Sequence, residues 1–334
     1  MHRATGRCAR NLIGGAGCAR LCKAPSSRQG RNVYPSQTWL HRAWANAYLL
    51  MILTTLMWAG NAVASRLAVG NISPMALTSF RWIAVCAVLP WLLRDQLRVH
   101  WPALRARWGF IALLGMGGFT MFNMLMYLAA YSTSAINIGI LQGSIPIFVL
   151  IGAFLAYRTR IGLMQALGVA VTLIGVAVTA SRGDFHVLTG LRFAAGDLFM
   201  ILACVFYAGY TVAVRNRPPM PGLVFFTAVA CFACVISLPL LAAEIALGQY
   251  YAPTPKGWLI LAFVVIGPSL LSQLAFLRAV ELIGPGRAGV FVNLVPVFAP
   301  ILAVAIIGEP FGLYHAVALA LVLGGIFIAE RLGR

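Results

Sequence analysis

Residues 58–66 read Trp58-Ala59-Gly60-Asn61-Ala62-Val63-Ala64-Ser65-Arg66, and residues 207–215 read Tyr207-Ala208-Gly209-Tyr210-Thr211-Val212-Ala213-Val214-Arg215. Set 149 positions apart, the two stretches share five identities in nine. At the same offset Leu89-Pro90 falls on Leu238-Pro239. One insertion later the offset is 150, and Trp108 falls on Trp258, Gly117 on Gly267, Pro146-x-Phe148 on Pro296-x-Phe298 and Gly175 on Gly325. Similar composition pairs apolar residues by chance, but it does not readily keep Trp, Pro and Gly in register over such a length. The two halves of the chain read as copies of one unit.

The unit is apolar. Of 334 residues, 61% are hydrophobic and 10% charged, whereas a water-soluble domain carries about 25% charged residues. A helix needs about 20 mostly apolar residues to cross the hydrocarbon core. Ten stretches qualify: 46–68, 74–93, 109–129, 133–155, 162–181, 194–214, 222–243, 258–279, 286–307 and 311–330. Their joints carry breakers and charges, such as Arg94-Asp95, Arg217-Pro218-Pro219 and Glu309-Pro310, and none is long enough for a soluble domain. The expected fold is all-α and polytopic. Residues 46–181 form the first five-helix repeat and 194–330 the second.

Residues 1–45 stand apart as a basic tail with eight Lys or Arg and no acid. Such a tail fits a disordered extension or an Arg-rich organellar transit peptide. Among the spans and joints, Lys and Arg fall mainly on one side. Counting the tail, that side collects 20, while Arg66, Arg182, Arg192 and Lys256 fall on the other. The positive-inside rule then places both termini in the cytoplasm of a cell (inner) membrane. Five is odd, so the second copy must enter the membrane upside down. Inverted repeats are a transporter architecture, with the substrate site at the repeat interface near the midplane.

A formal charge of +18 would suggest nucleic acid in a soluble chain; here the basic residues lie between apolar runs and read as topology signals. Cys86, Cys204, Cys231 and Cys234 lie within apolar runs, where cysteine packs as a small hydrophobe. Cys8, Cys18 and Cys22 lack the spacing of a zinc site. No metal or cofactor is expected. The seven acids are scattered, which leaves no cluster for acid–base or metal catalysis and argues against an enzyme.

Several pieces together resemble the EamA family of the drug/metabolite transporter superfamily. They are Trp58-Ala-Gly-Asn61, Phe80-Arg81-Trp82, the Ala/Gly-rich entry into Pro146-x-Phe148, Gly196-Asp197-Leu198, Pro296-x-Phe298 and Gly308-Glu309-Pro310. The resemblance covers 45–330 and implies a secondary transporter, and among its mostly prokaryotic members an exporter of amino acids and related metabolites. One departure is plain. The Gly-Glu after the proline helix is Gly308-Glu309 in the second copy but Arg158-Thr159 in the first, so a carboxylate stands at one end only.

Arg81 lies well inside the second span, where an arginine costs about 2.5–3.5 kcal/mol on insertion scales. It either attracts an anionic or carboxylate group of the substrate or pairs with helix carbonyls and holds the fold. Trp58, Asn61 and Ser65 share one face by their spacing, as do Thr120, Asn123 and Tyr127. Tyr207, Tyr210 and Thr211 form a further polar stripe, as do Ser269, Ser272 and Gln273. Gln142 and Asn293 stand just before Pro146 and Pro296. Polar side chains in lipid turn to the bundle interior, as glue between helices or as the lining of a water path. The expected substrate-binding set is Trp58, Asn61, Arg81, Asn123, Gln142, Tyr207, Tyr210, Gln273 and Asn293, with Pro146 and Pro296 as hinges. Asp197 and Glu309 sit at span ends and are expected near headgroups; no acid sits mid-span to carry a proton. His315 is expected to pack.

The function expected is secondary transport, most simply export, of small polar or amphipathic metabolites by alternating access. The partners are a small-molecule substrate and membrane lipid, with a homodimer left open. A membrane-embedded enzyme, or a non-transporting protein such as a lipid scramblase, stands as the alternative.

Overall fold

The computed structural model describes residues 43–158, 162–184 and 194–329. The tail through residue 42, Thr159, Arg160, Arg192 and the last residues from Glu330 onward lie outside them. Every regular element among the described residues is helical.

Eleven helices follow one another. They are α1 Ala47–Ala68, α2 Pro74–Leu92, the short α3 Arg94–Ala106, α4 Trp108–Ala129, α5 Ala135–Tyr157 and α6 Leu163–Ser181. After them come α7 Ala195–Asn216, α8 Gly222–Ala246, α9 Pro255–Ile283, α10 Arg287–Ile307 and α11 Leu313–Phe327. Among the described residues nine helices, α1, α2 and α4 to α10, are long and apolar enough to cross a bilayer, and α11 is apolar but shorter. Their outer faces carry exposed Leu155, Leu163, Leu259, Ile306 and Leu313, which suits lipid and not water.

One element lies beyond the expectation. Residues 94–107 read as a charged joint, yet Arg94–Ala106 is helical and holds Pro102 within it. Leu104 is buried and Leu97 packs beside it, while Val99 and Trp101 stay exposed. Four basic residues and an internal proline hid the apolar stripe from a reading tuned to spans.

Local sequence sets the helix ends. Asn46 starts α1 by accepting from the backbone N–H groups of Tyr48 and Leu49, the usual work of an Asn cap. Gly308 ends α10 at φ 68°, a left-handed conformation open to glycine at little cost. Inside, small residues let helices close up. A Cβ on Gly168 of α6 would stand 2.5 Å from the Gly325 carbonyl of α11, so these two helices touch backbone to backbone. Gly139 and Gly143, the pair at close-packing spacing, seat α5 against Ala299 of α10 and Val322 of α11.

Two kinds of irregularity recur at matching places. α4 is π-helical over Gly115–Met121 and α9 over Val265–Leu271. α5 breaks between Gln142 and Ile145, and α10 between Val292 and Val295. Pro146 and Pro296 each stand at the second residue after the break, where a missing N–H leaves no helix carbonyl unpaired.

Candidate functional site

Contacts define two ends of the bundle. At one, here the far face, Asn71 meets Thr254, Tyr131 meets Tyr251, Thr133 meets Asp197, and Ala135 meets Glu309. At the near face Arg107 and Tyr157 meet Asn216, and Ala47 packs with Ala279 and Ala288.

A cavity of about 750 Å³ starts near the middle of the helices, at Asn61, Arg81 and Asn123. It runs toward the near ends of α6, α10 and α11, where Gln165, Gly289 and Ala329 line it. Of the residues expected to bind substrate, Trp58, Asn61, Arg81, Asn123, Gln142, Tyr207, Gln273 and Asn293 line this one space. Pro146 and Pro296 line it too. Tyr210 does not. Its ring turns away against Phe119 and Tyr207, with centroids 5.4 and 5.5 Å distant, because Gly118 leaves room for it there.

Arg81 is 6% exposed. Its Nε donates to Ser269 Oγ at 2.7 Å, and Nη1 donates to Asn123 Oδ1 at 2.6 Å and to the Tyr127 hydroxyl at 2.9 Å. Its guanidinium lies 5.1 Å from the centre of the Trp82 ring. All these partners are neutral. The two π-helical stretches set the stage, since Ser269 lies within one and Asn123 directly follows the other. A π turn re-aims side chains that a regular ladder would send elsewhere.

The polar stripes divide into lining and glue. Thr120 donates to the Ala233 carbonyl, Thr54 to that of Ser272 and Ser65 to that of Ala62. Asn61 donates to Met126 Sδ at 3.8 Å, and its Oδ1 has no partner among the described residues. His315 packs, 3% exposed, with Nδ1 accepting from the Gly312 N–H. Sequence reasoning missed the aromatic wall: Trp82, Phe119, Phe122 and Phe276 all line the cavity. Phe122 lies 5.0 Å from Tyr207 and Phe276 5.4 Å from Trp58, centre to centre. Apolar residues in an apolar helix give no periodic signal that tells a cavity from lipid or core.

The acids require a correction. Asp197 and Glu309 were expected near headgroups. Asp197 is instead fully buried and accepts from the Thr133 hydroxyl and from Asn137 Nδ2. Glu309 accepts from the backbone N–H groups of Ala135 and Ile136 at 2.9 and 3.0 Å, capping α5 from another part of the chain. Glu244, at the end of α8, does the same for α2. It is 6% exposed and accepts from Ser73 Oγ at 2.6 Å, Met75 N at 3.1 Å and Ala76 N at 3.3 Å. A carboxylate at a helix N-terminus satisfies orphan donors and meets the positive end of the dipole, so the acids are drawn inward. Between them, burial and the hydrogen bond with Tyr251 push the Tyr131 hydroxyl well above its usual range.

The sequence model of the EamA-like transporter family matches residues 45–181 and again 194–330. The chain belongs to the EamA-like transporter family. It is similar to the uncharacterized transporter YyaM of Bacillus subtilis (strain 168), 23% identical over 294 residues, covering 85% of this chain and 93% of that protein. It is also similar to the uncharacterized inner membrane transporter YicL of Salmonella typhimurium (strain LT2), 24% identical over 297 residues, covering 84% and 93%. A solved crystal structure superposes with a TM-score of 0.58 at 23% identity, covering 86% of this chain and 98% of that one; this likeness bears on the fold. With its apolar helices, this EamA-like chain is a multi-pass membrane protein, and its relatives are membrane transporters.

Proposed function

We propose that this EamA-like protein is a secondary transporter that moves small polar or amphipathic metabolites by alternating access, in the direction of export. Its cavity is the substrate site. The observation that carries this reading is a cavity shared by both family-matched segments and sealed at one end. Asn61, Arg81 and Gln142 come from the first segment, and Tyr207, Gln273 and Asn293 from the second. Beyond the cavity, Glu244, Glu309 and Asp197 of the second segment bond only to residues of the first. A site between two units, closed on one side, is what rocking of the units requires.

The full architecture in this reading is ten membrane helices in two inverted five-helix repeats, with α11 as the tenth and α3 lying along the interface. Supporting the inversion, α1 ends at the face where Asn71 meets Thr254, whereas α7 begins at that same face, where Asp197 meets Thr133. Trp58, Asn61, Arg81, Asn123, Gln142, Tyr207, Gln273 and Asn293 bind substrate, Tyr210 supports them from behind, and the breaks before Pro146 and Pro296 are hinges. The termini face the cytoplasm.

Two experiments test this. Reporter fusions after residues 70, 132 and 250 are expected to read periplasmic, and those after 100, 219 and 283 cytoplasmic. A swap within either set defeats the inverted arrangement. Purified protein in liposomes is expected to exchange radiolabelled solutes from a metabolite panel. Liposomes that move no solute yet scramble lipid or turn over a lipid substrate would replace transport with one of those activities.

A further inference from the structure

Charge decides what this cavity can hold. Among the described residues that line it, Arg81 is the single formally charged side chain; no Asp, Glu, Lys or His faces the space. A guanidinium has five N–H donors. The bonds to Ser269, Asn123 and Tyr127 use Nε and Nη1, and among the described residues Nη2 makes none. Every one of those partners is neutral, so the guanidinium is held in place without its charge being cancelled. Such a buried, uncompensated cation strongly favours an anion that can reach it, and a carboxylate accepting from a guanidinium is among the stronger charge-assisted pairs. Beside it, the Trp82 indole N–H is buried and has no acceptor among the described residues. Unspent donors gather around Arg81.

An ammonium would fare differently. It would meet the field of Arg81 with no fixed negative charge to balance it. The orphan Oδ1 of Asn61 and the faces of Trp58, Phe122 and Tyr207 could receive a hydroxyl or a weakly held cation, but cation–π attraction at partly wet sites is modest. The remaining walls are aromatic or aliphatic, and about 750 Å³ suits a drug-sized body.

We infer that the cavity selects organic monoanions, a single carboxylate or similar group on an aromatic or apolar body, over zwitterions and cations of the same shape. This rests on the transporter reading only for the step that carries the bound anion across. Within the amino acids and related metabolites, it points to the acids that lack an ammonium.

A matched phenyl series tests it: 3-phenylpropionate, phenylalanine, 2-phenylethylamine and 3-phenylpropanol. Binding to full-length protein in nanodiscs is read from quenching of tryptophan fluorescence and checked by calorimetry. The anion is expected to bind roughly 10- to 100-fold more tightly than phenylalanine or the amine, the range that hydrogen bonds to charged groups confer. Arg81→Gln is expected to abolish that preference and Arg81→Lys to keep most of it. Monodispersity on size exclusion separates loss of binding from loss of fold, and if Arg81→Gln does not fold, the ordering of the four probes on wild type decides alone. Equal or tighter binding of phenylalanine or the amine overturns the inference, as does a wild type that binds none of the four. Flux of a zwitterion in liposomes with no anion preference would sink the anion class and leave transport standing. Anion binding without flux of any solute would do the reverse.

Discussion

Replacing Glu244 with Ala is expected to open the far face. Glu244 caps α2 from across the segment boundary, accepting from Ser73 Oγ, Met75 N and Ala76 N while 6% exposed. Ser73 makes no side-chain cap of its own for that helix, so the carboxylate supplies what a local cap would. Hydrogen bonds to a charged acceptor are worth about 1.5–3 kcal/mol each, and a charge at a helix N-terminus adds about 0.3–1 kcal/mol. When the halves part, water takes over most of these bonds, which leaves about 2–4 kcal/mol in favour of the closed far face. At about 1.4 kcal/mol per tenfold, Glu244→Ala lowers the closed-to-open ratio on the order of 30- to 700-fold.

Spin labels at Ser132 and Leu247, both exposed beside the far-face contacts, report the change as a longer distance by double electron–electron resonance. A second pair, at Leu155 and Leu282 near the other face, is expected to hold steady or draw together. Glu244→Gln keeps an acceptor and loses the charge, so it should fall between Ala and wild type. An unchanged Ser132–Leu247 distance in a monodisperse Glu244→Ala protein would refute the reasoning. A simultaneous spread of both pairs would show general loosening and refute it equally.

Three other outcomes are expected. Asp197→Ala should cost about 1–3 kcal/mol by stranding the Thr133 hydroxyl and the Asn137 amide in a buried site, seen as a lower melting temperature by differential scanning fluorimetry, with Asp197→Asn milder. Gly325→Leu should fail to give monodisperse protein because its side chain would meet Thr172 and the Gly168 carbonyl. Gly289→Ala, where a Cβ meets nothing within 4 Å, should behave like wild type. Cys86 and Cys231, with Sγ atoms 3.7 Å apart, should cross-link under a short bifunctional thiol reagent in a chain whose other cysteines are replaced, tying α2 to α8; no cross-link would displace that helix pairing.

The spans were legible because a bilayer imposes a length and a composition on every crossing, and 334 residues leave little else to read. The cavity was legible only through its polar members. Asn61, Asn123, Gln142, Gln273 and Asn293 stand out against apolar neighbours, and all of them face one space. Trp82, Phe119 and Phe276 do not stand out, although they make up much of its wall. Tyr210 shared a stripe with Tyr207 by spacing, yet a vacancy at Gly118 drew its ring elsewhere. The acids misled for a related reason. Their places at span ends suggested headgroups, but the helix N-termini of the opposite segment compete for them, and which N-terminus lies opposite is a tertiary fact.

The duplication gives those acids a further meaning. At the offset of 149, Glu244 corresponds to Asp95, and at 150, Glu309 corresponds to Thr159. Were the two faces equivalent, the first segment would cap helices of the second at the near face as the second caps the first at the far face. It does not. Asp95 is 81% exposed and lies 3.9 Å from Arg94 and from Arg98 on the same helix, a surface arrangement worth little, and position 159 has no charge to offer. α8 begins at Gly222 with no side-chain cap. The two ends of the alternating cycle are therefore unequal by construction: carboxylate caps hold the far face shut, and the near face lacks their counterparts. That inequality accounts for a resting form whose cavity reaches the near face. It also assigns substrate a specific task, since binding at Arg81 must offset about the free energy that Glu244 and Glu309 contribute before the far face can part.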